Sequence, residues 1–321
     1  MNPKTRQYLR EYKWSNILAM LKNNLKEPKI CTERFQHKLV VITGATSGIG
    51  YATARKYASQ GANLLCVNRN LQRSERLKAE LEKEFRISCE FRIADLSKLS
   101  EIFRVSQELS ELEQPIDVLI HNAGIYLTKR ELTAEGYDKV FVVHYLASFM
   151  MNYLLMEKLK AQSRARIIMV GSEGHRFAVW GLRLDDLNWE KRRYTGLQSY
   201  GSAKTAQLLS TLSFSELFRG SGVTINTMHP GAVKSATGQD NGPLYRWFKR
   251  NLLDRGLKAP ETSAEALYYL GVSQEVEGLS GKFFNLTSLE EPAPPALDRE
   301  MAKQLWTKTL KLTRLHTFGV Q

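Results

Sequence analysis

The stretch "LVVITGATSGIG", from Leu39 to Gly50, combines an apolar run with glycines in the spacing G-x-x-x-G-x-G. The run ends at Thr43, and the residues after the glycines predict a helix. Glycines at such a turn let the backbone approach a pyrophosphate, which then lies on the helix N-terminus and its free N–H groups. A second apolar run begins after Gly61, at the distance expected of a strand–helix–strand unit. This stretch therefore predicts a dinucleotide-binding fold.

Short apolar runs alternate with longer amphipathic segments along the rest of the chain. In one of these segments, "LQRSERLKAELEKEF", Leu77 and Leu81 lie at helical spacing among charges. The alternation is typical of an α/β fold with a parallel sheet. The predicted strands are Lys38–Thr43, Ala62–Val67, Cys89–Ile93, Ile116–His121, Arg166–Val170, Val223–Met228 and Lys282–Leu286.

We therefore expect a single-domain Rossmann fold, a doubly wound parallel sheet of about seven strands with helices on both faces. It should span residues 36–290. Residues 1–35 predict a basic helical N-terminal arm, and residues 291–321 a C-terminal helical extension that follows the Pro-rich stretch "EEPAPPALD".

Composition excludes several classes of protein. The chain has 321 residues, 43% of them hydrophobic, which is enough to bury a large core. Cys31, Cys66 and Cys89 form no C-x-x-C pair, so we expect no metal site, no disulfide framework and a reducing compartment. No apolar run reaches the roughly 18 residues of a membrane span, and charges interrupt the N-terminus where a signal peptide would be apolar. We expect a cytoplasmic protein, either soluble or peripherally bound to a membrane.

The net charge of +13 is concentrated at the two ends. Residues 1–40 contain nine basic and three acidic residues, a difference of +6, and Lys303, Lys308, Lys311 and Arg314 add to the tail. Two interpretations stay open, namely solvated helices packed on the domain or on a second subunit, and helices that touch an anionic membrane. A nucleic-acid binder is not indicated, because charge alone points to it. The apolar residues among these charges include Trp14, Ile17, Leu18, Leu21, Leu305, Trp306, Leu310, Leu312, Leu315 and Phe318.

The segment "QSYGSAKTAQ" places Tyr200 and Lys204 one helical turn apart, with only Gly, Ser and Ala between them. Such a pair also occurs on ordinary solvated helices. A phenol that exchanges a proton at neutral pH needs a lowered pKa, and a neighbouring ammonium stabilises the phenolate. The small residues between them would not crowd an approaching ligand.

Together these motifs resemble the short-chain dehydrogenase/reductase family. The glycine spacing, Asp95-Leu96, Asn122-Ala123-Gly124, Ser172, Tyr200-x-x-x-Lys204 and "HPGAV" (His229–Val233) follow in the family's order over residues 36–290. The stretches "LDDLNWEKRRYTGLQSYGSAKTAQLL", "GSGVTINTMHPGAV" and "GKFF" look most like its retinol dehydrogenase-like branch.

The resemblance implies an NAD(P)-dependent oxidoreductase that interconverts an alcohol and a carbonyl by hydride transfer. Tyr200 would be the proton donor and acceptor, Lys204 would bind the nicotinamide ribose, and Ser172 would hold the substrate oxygen. The alternative is a non-catalytic dinucleotide-sensing or interaction protein on the same fold. Such proteins usually lose the Tyr or the Lys. The implied catalytic residues are Ser172, Tyr200, Lys204 and His144, and the implied cofactor-binding residues are Gly44, Thr46, Ser47, Gly48, Ile49, Gly50, Arg69, Asp95, Leu96, Asn122, Ala123, Gly124, Tyr200, Lys204, Pro230, Gly231 and Val233.

The chain departs from the family's pattern at His144. In "VHYLASF" this histidine stands where the family usually has an Asn that anchors a proton-relaying water. A histidine can bind a water through one ring nitrogen and can accept a proton. It can equally be a packed helix residue, and both interpretations stay open.

Coenzyme and substrate preference rest on two segments. In "LLCVNRN" no carboxylate is present to bind a ribose 2′-hydroxyl, and Arg69 can pair with a 2′-phosphate, so NADP(H) is favoured over NAD(H). The alternative is a surface arginine beside a pocket that accepts either coenzyme. After "HPGAV", Ser235 stands where the family often has a Thr that contacts the carboxamide. The segment "NGPLYRWFKRNLLDRG" then predicts either an amphipathic lid over an apolar pocket or a simple surface helix.

Overall fold

The computed structural model describes residues 3–233 and 257–315. The predictions for Ser235, for the lid segment 241–256 and for Phe318 lie outside these residues. Eight strands form one sheet in the order β3-β2-β1-β4-β5-β6-β7-β8. They are β1 (Leu39–Thr43), β2 (Asn63–Asn68), β3 (Cys89–Ile93), β4 (Val118–His121), β5 (Ala165–Val170), β6 (Val223–His229), β7 (Phe283–Asn285) and β8 (Ser288–Glu290).

Helices cover both faces of the sheet. They are α1 (Pro3–Glu11), α2 (Trp14–Asn24), α3 (Gly48–Ser59), α4 (Leu71–Phe85), α5 (Leu99–Ser110), α6 (Lys139–Phe141), α7 (Ala147–Leu154), α8 (Met156–Ala161), α9 (Gly196–Leu217), α10 (Pro260–Val272) and α11 (Arg299–Thr313). A π-helical turn, Val142–Leu146, joins α6 to α7, and 3₁₀ turns span Glu173–Phe177, Gln274–Val276 and Pro294–Ala296.

The apolar runs became strands because a parallel sheet is buried on both faces. Every residue of β1 is buried, with Val41 in the core on one face and Val40 and Ile42 in the core on the other. This alternation follows the two-residue period of an extended chain. The predicted α/β Rossmann fold is therefore confirmed.

The sheet contains one strand that the sequence analysis did not predict. β8 pairs antiparallel with β7 across a tight turn at Leu286 and Thr287, where Leu286 has a φ of +52°. The other pairings are parallel. A three-residue strand has too little pattern to be separated from the Pro-rich stretch that follows it.

The strand order reverses direction between β1 and β4, which are neighbours. In doubly wound sheets, ligands bind in the crevice at the carboxyl ends of the strands at such a point. β1, β4, β5 and β6 all end at this edge, so the residues that follow them lie at one site.

The helices α1 and α11 contact each other, and α11 packs on the sheet domain. Tyr8 of α1 donates a hydrogen bond of 2.6 Å to Asp298, which caps α11. Leu305 is buried, and Trp306 packs against Phe149 and Phe214 with ring centroids 4.7 and 5.0 Å apart. The apolar side of the C-terminal helix therefore lies against the domain.

Across residues 3–233 and 257–315, none of the helices combines the length and apolar character that crossing a bilayer requires. The same residues contain no cluster of three or more His, Cys, Asp or Glu side chains arranged to hold a metal ion.

Candidate active site

The glycine turn after β1 is formed by close backbone packing. Gly44 has a φ of +72°, and a Cβ there would lie 3.0 Å from the Cα of Ala123. A Cβ on Gly50 would lie 2.2 Å from the carbonyl oxygen of Gly44. Ser47, the N-cap of α3, makes no side-chain capping hydrogen bond. The turn and the uncapped helix end, which include the predicted Thr46, Gly48 and Ile49, form the shape that a pyrophosphate needs.

Asn122 and Thr43 hold the glycine turn against the end of β4. The amide of Asn122 donates to the carbonyl oxygens of Thr43 and Gly44 at 3.0 and 2.9 Å. The Thr43 hydroxyl accepts from the backbone N–H groups of Asn122 and Ala123, both at 3.0 Å. In the structure, the Asn-Ala-Gly motif therefore fixes the glycine turn through Asn122 and Ala123.

The end of β2 borders the same turn. Asn68 is buried, and its Oδ1 accepts from the N–H of Ala45 at 2.8 Å. Its Nδ2 has no hydrogen-bond partner among the described residues. Arg69 follows it as an exposed side chain. The buried Asn68 Nδ2, a donor without a partner among the described residues, and the exposed Arg69 would suit the adenosine half of a dinucleotide.

Asp95 and Leu96 follow β3 at the same edge. The Asp95 carboxylate accepts from the N–H and hydroxyl of Ser97 at 3.0 and 2.8 Å, while Leu96 is buried. The structure therefore shows Asp95 fixing its own turn. After β6, Pro230 and Gly231 lead to the buried Val233, and the Pro230 carbonyl accepts from Ser263 at 2.6 Å.

Ser172, Tyr200, Lys204 and His144 meet beside these turns. Ser172 follows β5 and caps a 3₁₀ turn, its Oγ accepting from the N–H of Gly174 at 2.9 Å. The Ser172 hydroxyl and the Tyr200 ring lie on either side of Gly174, where an added Cβ would be within 3.2 Å of both. Tyr200 and Lys204 lie on α9, with the ammonium 5.6 Å from the centre of the phenol ring.

Lys204 is buried, and its Nζ donates to the Val170 carbonyl at 2.7 Å and to Gln207 at 2.9 Å. Burial lowers the pKa of Lys204 to about 7. Burial also raises the pKa of Tyr200, and the Ser172 hydroxyl opposes that rise. The sequence analysis expected a lowered phenol pKa. The difference arises because burial disfavours the charged form of both groups. It lowers the pKa of the Lys204 ammonium and raises the pKa of the Tyr200 phenol.

His144 lies in the π-helical turn, with its ring perpendicular to the Tyr200 ring and the centroids 5.2 Å apart. Its Nε2 is 2.7 Å from the carbonyl oxygen and 3.1 Å from the N–H nitrogen of Ile125. In either tautomer, Nδ1 is buried and without a partner among the described residues. Burial and the Lys204 charge lower the pKa of His144 well below its usual range, so the ring is neutral.

Several polar residues near the site were missed in the sequence analysis. Asp138 is buried, caps α6 and accepts from Ser199, the residue before Tyr200, at 3.0 Å. Burial raises the pKa of Asp138 to about 6. Glu173 directly follows Ser172 and forms an ion pair with Arg176, three residues further on. Their charges in "SEGHRF" are the only sequence signal that could have drawn attention to them.

Comparison with known proteins agrees with this geometry. The sequence profile of short chain dehydrogenases matches residues 38–182. Human Retinol dehydrogenase 13 is 33% identical over 289 residues, which cover 88% of this chain and 87% of that protein. The chain belongs to the short-chain dehydrogenase family. Within it, the retinol dehydrogenase-like branch is supported by the human Retinol dehydrogenase 14 as well, 33% identical over 84% of each chain.

A solved structure of an uncharacterized protein from Mycobacterium Paratuberculosis superposes with a TM-score of 0.68 at 27% identity over 88% of this chain and 95% of that one. The complex of Pseudomonas aeruginosa RhlG with NADP shares the fold, with a TM-score of 0.60 at 19% identity over 78% of this chain and 95% of that one. The family establishes an NAD(P)-dependent oxidoreductase that acts on an alcohol or carbonyl of a small molecule.

Proposed function

We propose that this short-chain dehydrogenase interconverts a lipophilic alcohol and its carbonyl with NADP(H), using Tyr200 as the acid and base. The observation that carries the proposal is the meeting of Ser172, Lys204 and His144 around one phenol, beside a glycine turn shaped for a pyrophosphate. A bound nicotinamide coenzyme would supply or accept the hydride.

The residues of the phosphate turn fit the coenzyme. Gly44 and Gly50 leave no room for side chains, the N-terminus of α3 is uncapped, and the N–H groups of its first turn are free to bind a phosphate. The remaining cofactor-binding residues predicted from the sequence stay part of this proposal. Lys204 would bind the ribose, and that contact would replace part of its lost solvation.

Tyr200 exchanges a proton with the substrate oxygen, and Ser172 holds that oxygen against the phenol. Because Lys204 is about half protonated near pH 7, it can hold a proton next to Tyr200 or give it up. Proton transfer is efficient when the partners' pKa values lie near the working pH. The half-buried phenol is otherwise reluctant to ionise, so Ser172 and Lys204 both serve to make its proton transferable.

His144 replaces the family's Asn in relaying that proton. Its unpartnered, buried Nδ1 can bind a water, and the Lys204 charge acts directly on its pKa. His144→Asn should keep turnover, because the amide can bind a water as well. His144→Phe should lower kcat while coenzyme KM stays constant, and an unchanged kcat and pH profile in that variant would exclude the relay.

Preference for NADP(H) rests on Arg69 and on the absence of a carboxylate after β2. Arg69→Ala should weaken NADPH binding by roughly 1.5–3 kcal/mol, the range for a hydrogen bond to a charged group. NADH, without the 2′-phosphate, should bind as before. The matched control is Arg164→Ala, which removes an exposed arginine elsewhere. Equal losses for both coenzymes would defeat the assignment.

A lipophilic substrate is supported by the names of two relatives, Retinol dehydrogenase 13 and mouse Polyprenol dehydrogenase, the latter 28% identical over 93% of this chain and 90% of that one. Each buried methylene contributes about 0.8 kcal/mol. We therefore expect kcat/KM for straight-chain aldehydes to rise with chain length. A flat series would rule out an apolar pocket.

The central test measures nicotinamide absorbance with NADPH and a panel of aldehydes, ketones and retinoids. Tyr200→Phe should abolish turnover while NADPH binding survives, because only the proton donor is lost. Tyr153→Phe, whose ring packs against Trp306, is the matched control and should remain active. Near-normal turnover by Tyr200→Phe would contradict the acid/base role.

Peripheral contact with an anionic membrane is a further part of the proposal, carried by α2. Leu18 and Leu21 are 65% and 53% exposed, and Leu25 after the helix is 84% exposed, with Lys22 and Lys26 beside them. Each cation near an anionic surface contributes about 1 kcal/mol, which salt screens. The paired variant Leu18→Asp and Leu21→Asp should lose co-sedimentation with anionic vesicles, and Leu217→Asp should keep it. If the wild type stays in the supernatant and forms a dimer that the paired variant cannot form, these leucines bind a second copy instead.

A further inference from the structure

The 3₁₀ turn that carries Ser172 is anchored by a buried histidine. The Nε2 of His175 accepts from the N–H of Ala293 at 3.0 Å, so Nδ1 carries the ring proton. Nδ1 donates it to the Ser172 carbonyl oxygen at 2.7 Å. Burial first, and then the Arg176 charge, lower the pKa of His175 to about 3, so the ring stays neutral and this hydrogen-bond arrangement is fixed.

Arg176, the next residue, forms a second anchor to the same segment. Its buried guanidinium pairs with Glu173, the neighbour of Ser172, and donates to Glu290 at 2.7 Å and to the Glu291 carbonyl at 3.0 Å. The Glu290 side chain is completely buried. Burial and the nearby Glu290 raise the pKa of Glu173 to about 7, while Arg176 opposes the rise. The side chains of Glu173, Arg176 and Glu290 thus share a largely buried space.

The N-terminal arm closes this space. Asn23 of α2 donates to the second oxygen of Glu290 at 3.0 Å, and Asn285 donates to that same oxygen at 3.2 Å. Asn24 accepts from Asn285 at 2.9 Å. Tyr12, between α1 and α2, acts on Arg176 as well and helps to raise its pKa. A continuous path of polar contacts therefore runs from α2 through Glu290 and Arg176 to the turn of Ser172.

We propose that the N-terminal arm is part of the catalytic apparatus, with Asn23, Glu290 and Arg176 acting as positioning residues for Ser172. The inference rests on the proposed role of Ser172 in holding the substrate oxygen. The contacts that the arm makes along this path are polar. A helix that packed on the domain through apolar side chains alone would not need them. Polar contacts fix a group in one orientation, and a small misplacement of a catalytic group costs far more rate than binding.

The network has little tolerance for loss of one member. Glu173 Oε1, Arg176 Nη1 and Asn285 Oδ1 already lack partners among the described residues. Removing one side of a buried ion pair leaves the other charge uncompensated. Glu290→Gln keeps the shape and leaves Arg176 paired one-to-one with Glu173, so this variant should fold. Asn23→Ala is milder still, because it removes a neutral partner.

The experiment compares full-length wild type, Asn23→Ala, Glu290→Gln and the control Lys22→Ala, an exposed neighbour on α2. Amide hydrogen exchange is read at Gly174 and His175, together with kcat and KM for NADPH and the aldehydes that the wild type reduces. Both network variants should exchange about tenfold faster at these amides. Their kcat should fall about tenfold at unchanged coenzyme KM. Lys22→Ala should match the wild type in all three measurements.

Wild-type exchange and kcat in both network variants would overturn the inference. Faster exchange with an unchanged kcat would overturn it as well, because the turn would then move without catalytic consequence. Ser172→Ala separates the two proposals. If Ser172→Ala retains wild-type turnover, the proposed role of Ser172 fails, whereas loss of turnover only in Ser172→Ala leaves that role intact and refutes the network's part.

Discussion

Replacing Lys204 by Met should change how the stability of the protein depends on pH. Burial lowers the pKa of Lys204 from 10.5 to about 7, so the unfolded chain binds more protons than the folded one between those values. The contribution of Lys204 to the free energy of unfolding therefore rises with pH between about 7 and 10.5, and it is constant below that window. Lys204→Met removes the titrating group and should remove this slope.

The expected magnitude follows from the size of the pKa shift. One pKa unit corresponds to about 1.4 kcal/mol, so the free energy of unfolding of the wild type should gain about 2 kcal/mol over Lys204→Met between pH 7.5 and pH 9. The variant also loses the hydrogen bonds to Val170 and Gln207. Losing these bonds changes the free energy of unfolding by nearly the same amount at every pH, because the neutral amine of the wild type donates them as the ammonium does.

The assay is urea unfolding of both proteins without added coenzyme at pH 6.5, 7.5, 8.5 and 9. Lys303→Met, which removes an exposed lysine of α11, is the control. Its free energy of unfolding should differ from that of the wild type by the same amount at every pH. A difference between wild type and Lys204→Met that stays constant from pH 7.5 to 9 would refute the claim that burial destabilises this ammonium. The same lowered pKa is what lets Lys204 exchange a proton near neutrality in the proposed function.

Three further substitutions test the packing around the site and the fold. Gly124→Ala would place a Cβ 2.5 Å from Cε1 of His144, and we expect about 1–3 kcal/mol of destabilisation in urea and reduced turnover; wild-type values would mean that the His144 ring moves freely. Thr309→Val removes the partner of the buried Tyr145 hydroxyl, 2.6 Å away, and should cost about 1–3 kcal/mol, whereas no loss of stability would show that the hydroxyl finds another partner. Asn70→Ala removes the cap of α4, which accepts from the N–H of Arg73, and should cost about 1 kcal/mol; an unchanged urea midpoint would refute this.

The fold was predictable because its information is local. Parallel strands are buried on both faces, so each becomes a continuous apolar run. The segment that forms α4 was predicted from the helical spacing of its leucines among charges. Glycine spacing predicted the tight turn after β1 for the same reason. β8 was not predictable, since three residues, one of them exposed, carry no period.

The polar contacts of the site are not local, and this is why they were missed. Asn23 and Glu290 meet across 267 positions of sequence, and no pattern of residue types records that pairing. The position of His144 was predictable from the motif around it, whereas the π-helical turn that carries it and its bond to Ile125 depend on tertiary packing. The N-terminal arm therefore appeared in the sequence as a separate basic segment.

Three of the buried polar atoms that lack a partner among the described residues lie near Tyr200. His144 Nδ1 adjoins the phenol, Asp138 Oδ1 lies one hydrogen bond from the preceding residue, and Glu173 Oε1 lies one residue from Ser172. Each buried orphan costs about 1–3 kcal/mol, so a sequence shaped only for stability would have removed them. The buried Lys204 carries a related cost: its Nζ has hydrogen-bond partners, but its charge is held where water cannot solvate it.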